Sequence, residues 1–231
     1  MATANKSGNL YLKLVPIMLS FFAMSFVDLV GTGTNFIKKD FGLSDTMAGL
    51  FPLMVFLWFL IFSVPTGLLM NRIGRRKTVL ISLVVTALAL LLPVLTIPMP
   101  HDTASFTIML VSFCLLGIGN AIMQVSLNPL LSNIVHGDRL ASALTLGQFV
   151  KAIGSFVAPI IAGGAALAFG NWKLLYPIFT GISILAVLSL GVTKIEEEDE
   201  KGEASTFRQC LALLGNGFVL LAFLGIVCHV G

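Results

Sequence analysis

Two long apolar runs, Met47 to Met70 and Thr78 to Pro98, are joined through the short basic stretch Gly67-Leu68-Leu69-Met70-Asn71-Arg72-Ile73-Gly74-Arg75-Arg76-Lys77. Each run reaches the roughly 20 apolar residues that an α-helix needs to cross a bilayer. A tight turn between two such runs makes a transmembrane helical hairpin. Its four cations, Arg72, Arg75, Arg76 and Lys77, are expected on the cytoplasmic side. That constraint places the chain in a membrane and sets which way up it lies.

Composition excludes the main alternatives. Only 11% of the residues are charged and 57% are hydrophobic, whereas a soluble domain carries about 25% charged residues. The net charge of +3 belongs mostly to loops beside apolar runs. No basic face is interleaved with aromatic residues, so nucleic acid is not an expected partner. Cys114, Cys210 and Cys228 are isolated within or beside apolar runs and lack metal-ligand spacing, so no metal or cofactor is expected. The first apolar segment is too long for a signal-peptide core and lacks a small-residue cleavage site after it.

Seven apolar helices follow from the hydropathy pattern: Tyr11 to Phe36, the two flanking the basic turn, Ser105 to Ile134, Leu140 to Phe169, Leu174 to Val192, and Arg208 to Gly231. With the N-terminus inside, the cytoplasmic loops receive Lys6, Lys13, the four cations of the turn, Arg139, Lys194, Lys201 and Arg208. The other side receives only Lys38, Lys39 and Lys173. Such Lys/Arg asymmetry sets topology, and the chain reads as a multi-pass protein of the plasma (inner) membrane with a cytoplasmic N-terminus. Residues 1–192 form a six-helix bundle, 193–207 a charged cytoplasmic linker, and 208–231 the first helix of a second bundle. The acidic run Glu196-Glu197-Glu198-Asp199-Glu200 is expected to be solvated by its own like-charge repulsion. Six helices, a charged connector and a new helix match the midpoint of a twelve-helix transporter, each half a 3+3 inverted repeat. On that plan the chain stops inside the first helix of the second half.

Asp28 and Lys151 are the charged side chains that fall well inside a span. Intramembrane ionisable groups are costly and face a bundle interior or a wet cavity, usually with a partner. Asp28, Thr32 and Asn35 share one face of the first helix. Asn120, Gln124 and Asn128 share one face of the fourth, and Gln148, Lys151 and Ser155 one face of the fifth. Three polar faces imply a shared hydrated cavity. Counting residues from the helix ends puts Gln124 and Lys151 at similar depth and Asp28 one or two turns nearer the outside. The two charges are expected to exchange contacts during transport, with Asp28 as the titrating group.

The stretch Gly67-x-Leu69-x-Asn71-Arg72-x-Gly74-Arg75-Arg76-Lys77 resembles the loop 2–3 signature of the major facilitator superfamily, G-x-L-x-D-R-x-G-R-R/K. The resemblance implies an all-α membrane fold with a six-helix N-terminal bundle, here followed by the start of a seventh helix. In the family the signature's carboxylate helps hold the cytoplasmic side closed; here it is Asn71, which can hydrogen-bond or cap the third helix but cannot form an ion pair. Gly67, Asn71, Arg72, Gly74, Arg75 and Arg76 become the expected cytoplasmic gate. Gly117-Ile118-Gly119-Asn120-Ala121, Gln124 to Pro129, and the helix-five pattern Gln148, Gly154, Ala158-Pro159 are similar to the fucose permease-like sugar/proton symporters. That similarity implies a substrate site lined by helices one, four and five, and so by Asp28, Thr32, Asn120, Gln124, Asn128, Gln148 and Lys151. Gln124 stands where those symporters have a second acid, and Lys151 where they have Asn, so proton coupling through helix four does not carry over.

The resulting expectation is a secondary transporter of a small polar solute, a sugar or sugar acid, working by alternating access, with protons as coupling ion. It would be a monomer once the C-terminal half is present. A seven-helix receptor or an inactive transporter fragment stands as the alternative, and an enzyme is not expected, since Ser155 and His229 are the only loose candidates for a protease pair. Other readings stay structural. Asp28 and Lys151 could be a static packing pair, and Asn128-Pro129 a helix kink. Gly147, Gly154, Gly163 and Gly164 would allow close helix approach. Trp172 and Tyr176 would belong to an interfacial belt.

Overall fold

The computed structural model describes residues 2–195, 197, 209 and 212–230. Among these, six helical spans are long and apolar enough to cross a membrane. Span 1, Leu12–Phe41, comprises α1 (Ala2–Met24), a 3-10 turn (Ser25–Asp28) and α2 (Leu29–Phe41). Span 2 joins a short α3 (Asp45–Ala48) to α4 (Leu50–Ile73). Spans 3, 4 and 5 are α5 (Arg75–Leu95), α6 (Thr103–Ser132) and α7 (Arg139–Phe169). Span 6 is a 3-10 turn (Trp172–Leu174) continued by α8 (Leu175–Val192).

Two boundaries differ from the hydropathy reading, each for a local reason. Span 1 runs on past Phe36 to Phe41, where Gly42 at φ +59° ends it in the left-handed conformation, the usual helix stop for a residue without Cβ. The basic turn is shorter than expected. Gly74 alone, at φ +91°, separates α4 from α5, so Arg75, Arg76 and Lys77 belong to the first turn of span 3. Among the described residues towards the end of the chain, α9 covers Gly217–Val230, and Asn216 caps it by accepting from the Phe218 N–H at 3.0 Å. Arg208, Cys210, Leu211 and Gly231 lie outside the described residues. The Asn128-Pro129 pair does not interrupt α6, which continues to Ser132.

Span 4 occupies the centre, wedged between spans 2 and 3. A Cβ on Gly117 would sit 2.5 Å from the Val55 carbonyl oxygen of α4. Small residues thus bring backbones together where no hydrophobic drive between helices exists. Aromatic rings fill what remains: Phe51 meets Phe113 and Phe106 edge-on, and Phe26 stacks on Phe179 at 4.2 Å. Spans 2 and 5 stay largely on the outside, with only 17% of each apolar window buried, against 61% for span 1 and 56% for span 4.

Candidate functional site

The α-helix of span 1 is interrupted at mid-depth. Ser25–Asp28 wind as a 3-10 turn, a tighter arrangement that within a long helix often marks a hinge. Asn120 of α6 buttresses it, its Nδ2 donating to the Met24 carbonyl at 3.1 Å. Asn120 is buried at 2% exposure, and its own carbonyl oxygen has no hydrogen-bond partner among the described residues.

Asp28 ends that turn and is exposed. The Ser155 hydroxyl of α7 donates to its carboxylate, with the Lys151 carbonyl, one turn back, as alternative acceptor at 3.1 Å. Spans 1 and 5 come this close because α7 presents glycine to α1. A Cβ on Gly154 would overlap Ser25 Oγ, and one on Gly147 would lie 2.7 Å from the Phe21 ring. Gly163 and Gly164 do not serve in this way, since the space beside each is open.

Lys151 is half-buried, and no described carboxylate lies within ion-pair distance of it. Asp28 is level with Ser155, one turn along α7, and is bonded there. Thr32 is half-buried on α2, Gln148 is exposed on α7, and Gln124 and Asn128 are half-buried on α6. None of these four forms a side-chain hydrogen bond among the described residues, and the Asn128 Oδ1 is buried without a partner. Of the expected site, then, Asp28 meets span 5 through Ser155, and Asn120 meets span 1 at Met24. Ser155, on the polar face but outside the expected binding set, is the group that holds Asp28.

The basic turn is a second centre. Gly74 has no side chain with which to cap α5, and the cap comes from a distance. The Glu197 carboxylate accepts from the Arg75 and Arg76 backbone N–H groups, both at 2.6 Å. A carboxylate at a helix N-terminus satisfies orphan donors and complements the helix dipole. The Arg76 guanidinium reaches the Leu190 carbonyl at 3.1 Å and the Gly191 carbonyl at 2.7 Å, closing the end of α8. Arg75 donates to the Asn133 side chain at the end of α6. Spans 3, 4 and 6 are thereby tied at one rim. Two expectations change. The acidic run is not wholly solvated, because Glu197 is held at α5; its neighbours 196 and 198–200 lie outside the described residues. Asn71 is exposed and does not cap span 3. The available clue was the glycine itself, since a helix starting after a residue with no capping side chain needs an acceptor from elsewhere. Gly67 has open space around it, and Arg72 is exposed.

At the opposite rim Trp172 and Tyr176 are not an interfacial belt; they are 4% and 2% exposed. The indole donates to Asp40 at 2.8 Å and stacks on Phe36 at 5.1 Å, fastening the end of span 1 to the start of span 6. Among the described residues no group of three or more His, Cys, Asp or Glu could hold a metal ion.

The sequence profile of the Major Facilitator Superfamily matches residues 17–231. The chain belongs to that superfamily. Among curated major facilitator relatives, a glucose/galactose transporter of Brucella abortus biovar 1 (strain 9-941) is 30% identical over 133 residues, which are 57% of this chain and 30% of that protein. Solved structures share the fold. The fucose:proton symporter FucP in the outward conformation matches with a TM-score of 0.69 at 18% identity, over 90% of this chain and 56% of that one. A point variant of the E. coli protein gives 0.67 at 17% identity over 87% and 55%. A proton dependent oligopeptide transporter gives 0.65 at 17% identity over 96% and 48%. The chain thus spans about a third of the curated relative and about half of each solved structure. Superfamily membership also answers the enzyme question: this fold and family are those of transporters.

Proposed function

We propose that this chain supplies the N-terminal six-helix half of a secondary transporter that moves a small polar solute, a sugar or sugar acid, by alternating access. The observation that carries the reading is Asp28. It is an intramembrane carboxylate at a break in span 1, exposed, and bonded among the described residues to the Ser155 hydroxyl. Such a group survives in a membrane when it serves a wet pathway. The names of the relatives, a glucose/galactose transporter and a fucose:proton symporter, support a sugar substrate and a proton as coupling ion, for which Asp28 is the proposed carrier. Lys151, half-way down span 5 and without a carboxylate partner among the described residues, favours solutes that carry a carboxylate. Thr32, Asn120, Gln124, Asn128 and Gln148 complete the proposed site.

In the same reading the N-terminus and the basic turn are cytoplasmic, in the plasma (inner) membrane, and residues 193–207 are the linker between halves. The transporter acts as a monomer, and Gly67, Asn71, Arg72, Gly74, Arg75 and Arg76 form its cytoplasmic gate.

The test is uptake of labelled galactose by cells expressing the protein, measured from about pH 6 to about pH 8, roughly one unit either side of neutrality, and in competition with fucose and glucuronate. Wild-type accumulation is expected to fall as the outside pH rises. Asp28→Asn should abolish accumulation and pH dependence while leaving exchange of pre-loaded solute. Unchanged pH dependence in that variant would remove Asp28 from coupling. Stronger competition by glucuronate than by fucose would select the sugar acid, with Lys151→Met erasing the difference.

A further inference from the structure

The four cations of the basic turn divide into two pairs. Arg75 and Arg76 turn inward and are spent on the ends of α6 and α8. Arg72 and Lys77 turn outward, are exposed, and have no hydrogen bond or ion pair among the described residues. They are not scattered surface charges. Together with Ile73, Leu80 and Ile81 they line one cavity of about 490 Å³ at the α4–α5 corner. Two exposed cations bordered by aliphatic side chains in an open pocket call for an anion that has an apolar body attached.

The surface below that cavity fits the same description. Lys77 heads an exposed stripe along α5 formed by Ile81, Val84, Leu88, Leu91 and Leu95, each more than 40% exposed. The stripe repeats at helical i, i+3, i+4 spacing and so lies on one side of the helix. From Lys77 to Leu95 it runs about 27 Å, close to the bilayer core thickness of about 30 Å. The cations therefore sit where a lipid headgroup would be if its tails lay along span 3.

We propose that the Arg72–Lys77 cavity is a binding site for an anionic phospholipid, the phosphodiester engaging both cations and the acyl chains lying on the apolar stripe of α5. Arg can take a phosphate oxygen pair in a fork while Lys supplies a point charge, so the two residues are complementary. Asn71, exposed on the same turn, adds no carboxylate to repel the headgroup.

The test uses the full chain, purified in mild detergent and titrated with phosphatidylglycerol or with phosphatidylcholine of matched chains, bound lipid being counted by native mass spectrometry. Wild type should retain phosphatidylglycerol about tenfold more tightly than the Arg72→Gln/Lys77→Gln double variant. Each single variant should fall between the two. Phosphatidylcholine should bind weakly and equally to all. Lys39→Gln, which removes an exposed cation at the opposite rim, should bind phosphatidylglycerol as wild type does. Equal retention of the two lipids by wild type, or undiminished phosphatidylglycerol on the double variant, would overturn the proposal. So would displacement of the lipid by millimolar inorganic phosphate, which would assign the cavity to a soluble anion. Because no readout is transport, the result stands apart from the fate of the proposed sugar site.

Discussion

Glu197 shows how much one side chain can do when backbone donors have no local acceptor. Its carboxylate takes both leading N–H groups of α5 at 2.6 Å, a place that Gly74 cannot fill. Glu197→Gln keeps one acceptor and loses the charge that the helix dipole favours, so thermal unfolding in detergent is expected to report a loss of about 1 kcal/mol. A melting temperature equal to wild type would show that the contact holds nothing. Composition shows Glu197 only as one acid among several, and an acidic run reads as solvated for good electrostatic reasons. The partner that overrides this reading lies 121 and 122 residues away in the chain, beyond any local pattern. Asp28 is the opposite case. A carboxylate inside an apolar run is conspicuous by its cost and was legible at once, whereas Ser155 as its partner was not. Which residue of span 5 meets Asp28 depends on how far one helix slides along the other.

At the scale of elements, that slide is set by glycine. Gly147 and Gly154 let α7 lie directly against α1 at Phe21 and Ser25, and this register delivers Ser155 to Asp28. Gly154→Leu would force the two helices apart in a packed junction, an overpacking expected to destabilise by about 1–3 kcal/mol. It would also unseat Asp28. Gly163→Ala, on the same helix but facing open space, should melt as wild type does. Equal behaviour of the two variants in a detergent melt would refute the assignment. Span positions were readable from hydropathy because each needs about 20 apolar residues, while span ends were not. Gly42, Gly74 and Asn216 end or begin helices through backbone conformation and capping, which hydropathy does not register. The burial of Trp172 was also out of reach: an aromatic residue near a span end belongs in the interface by default, and only the tertiary contact with Asp40 draws it inward.

For the molecule as a whole, the two rims are fastened differently. One is held by arginines and a glutamate on helix ends, the other by an indole on an aspartate and a stacked ring. Between them lies the junction of spans 1 and 5, where the Ser155 hydroxyl donates to Asp28. The fastening at the basic rim reaches past the last helix of the bundle to Glu197. Anyone who grafts this six-helix bundle onto a relative's second half therefore faces a choice of junction. A cut at 193, where the helix ends, would leave two amides of α5 without their acceptor. A cut after 197 would carry the acceptor along with the helix it serves, and the longer piece should be the better-behaved part.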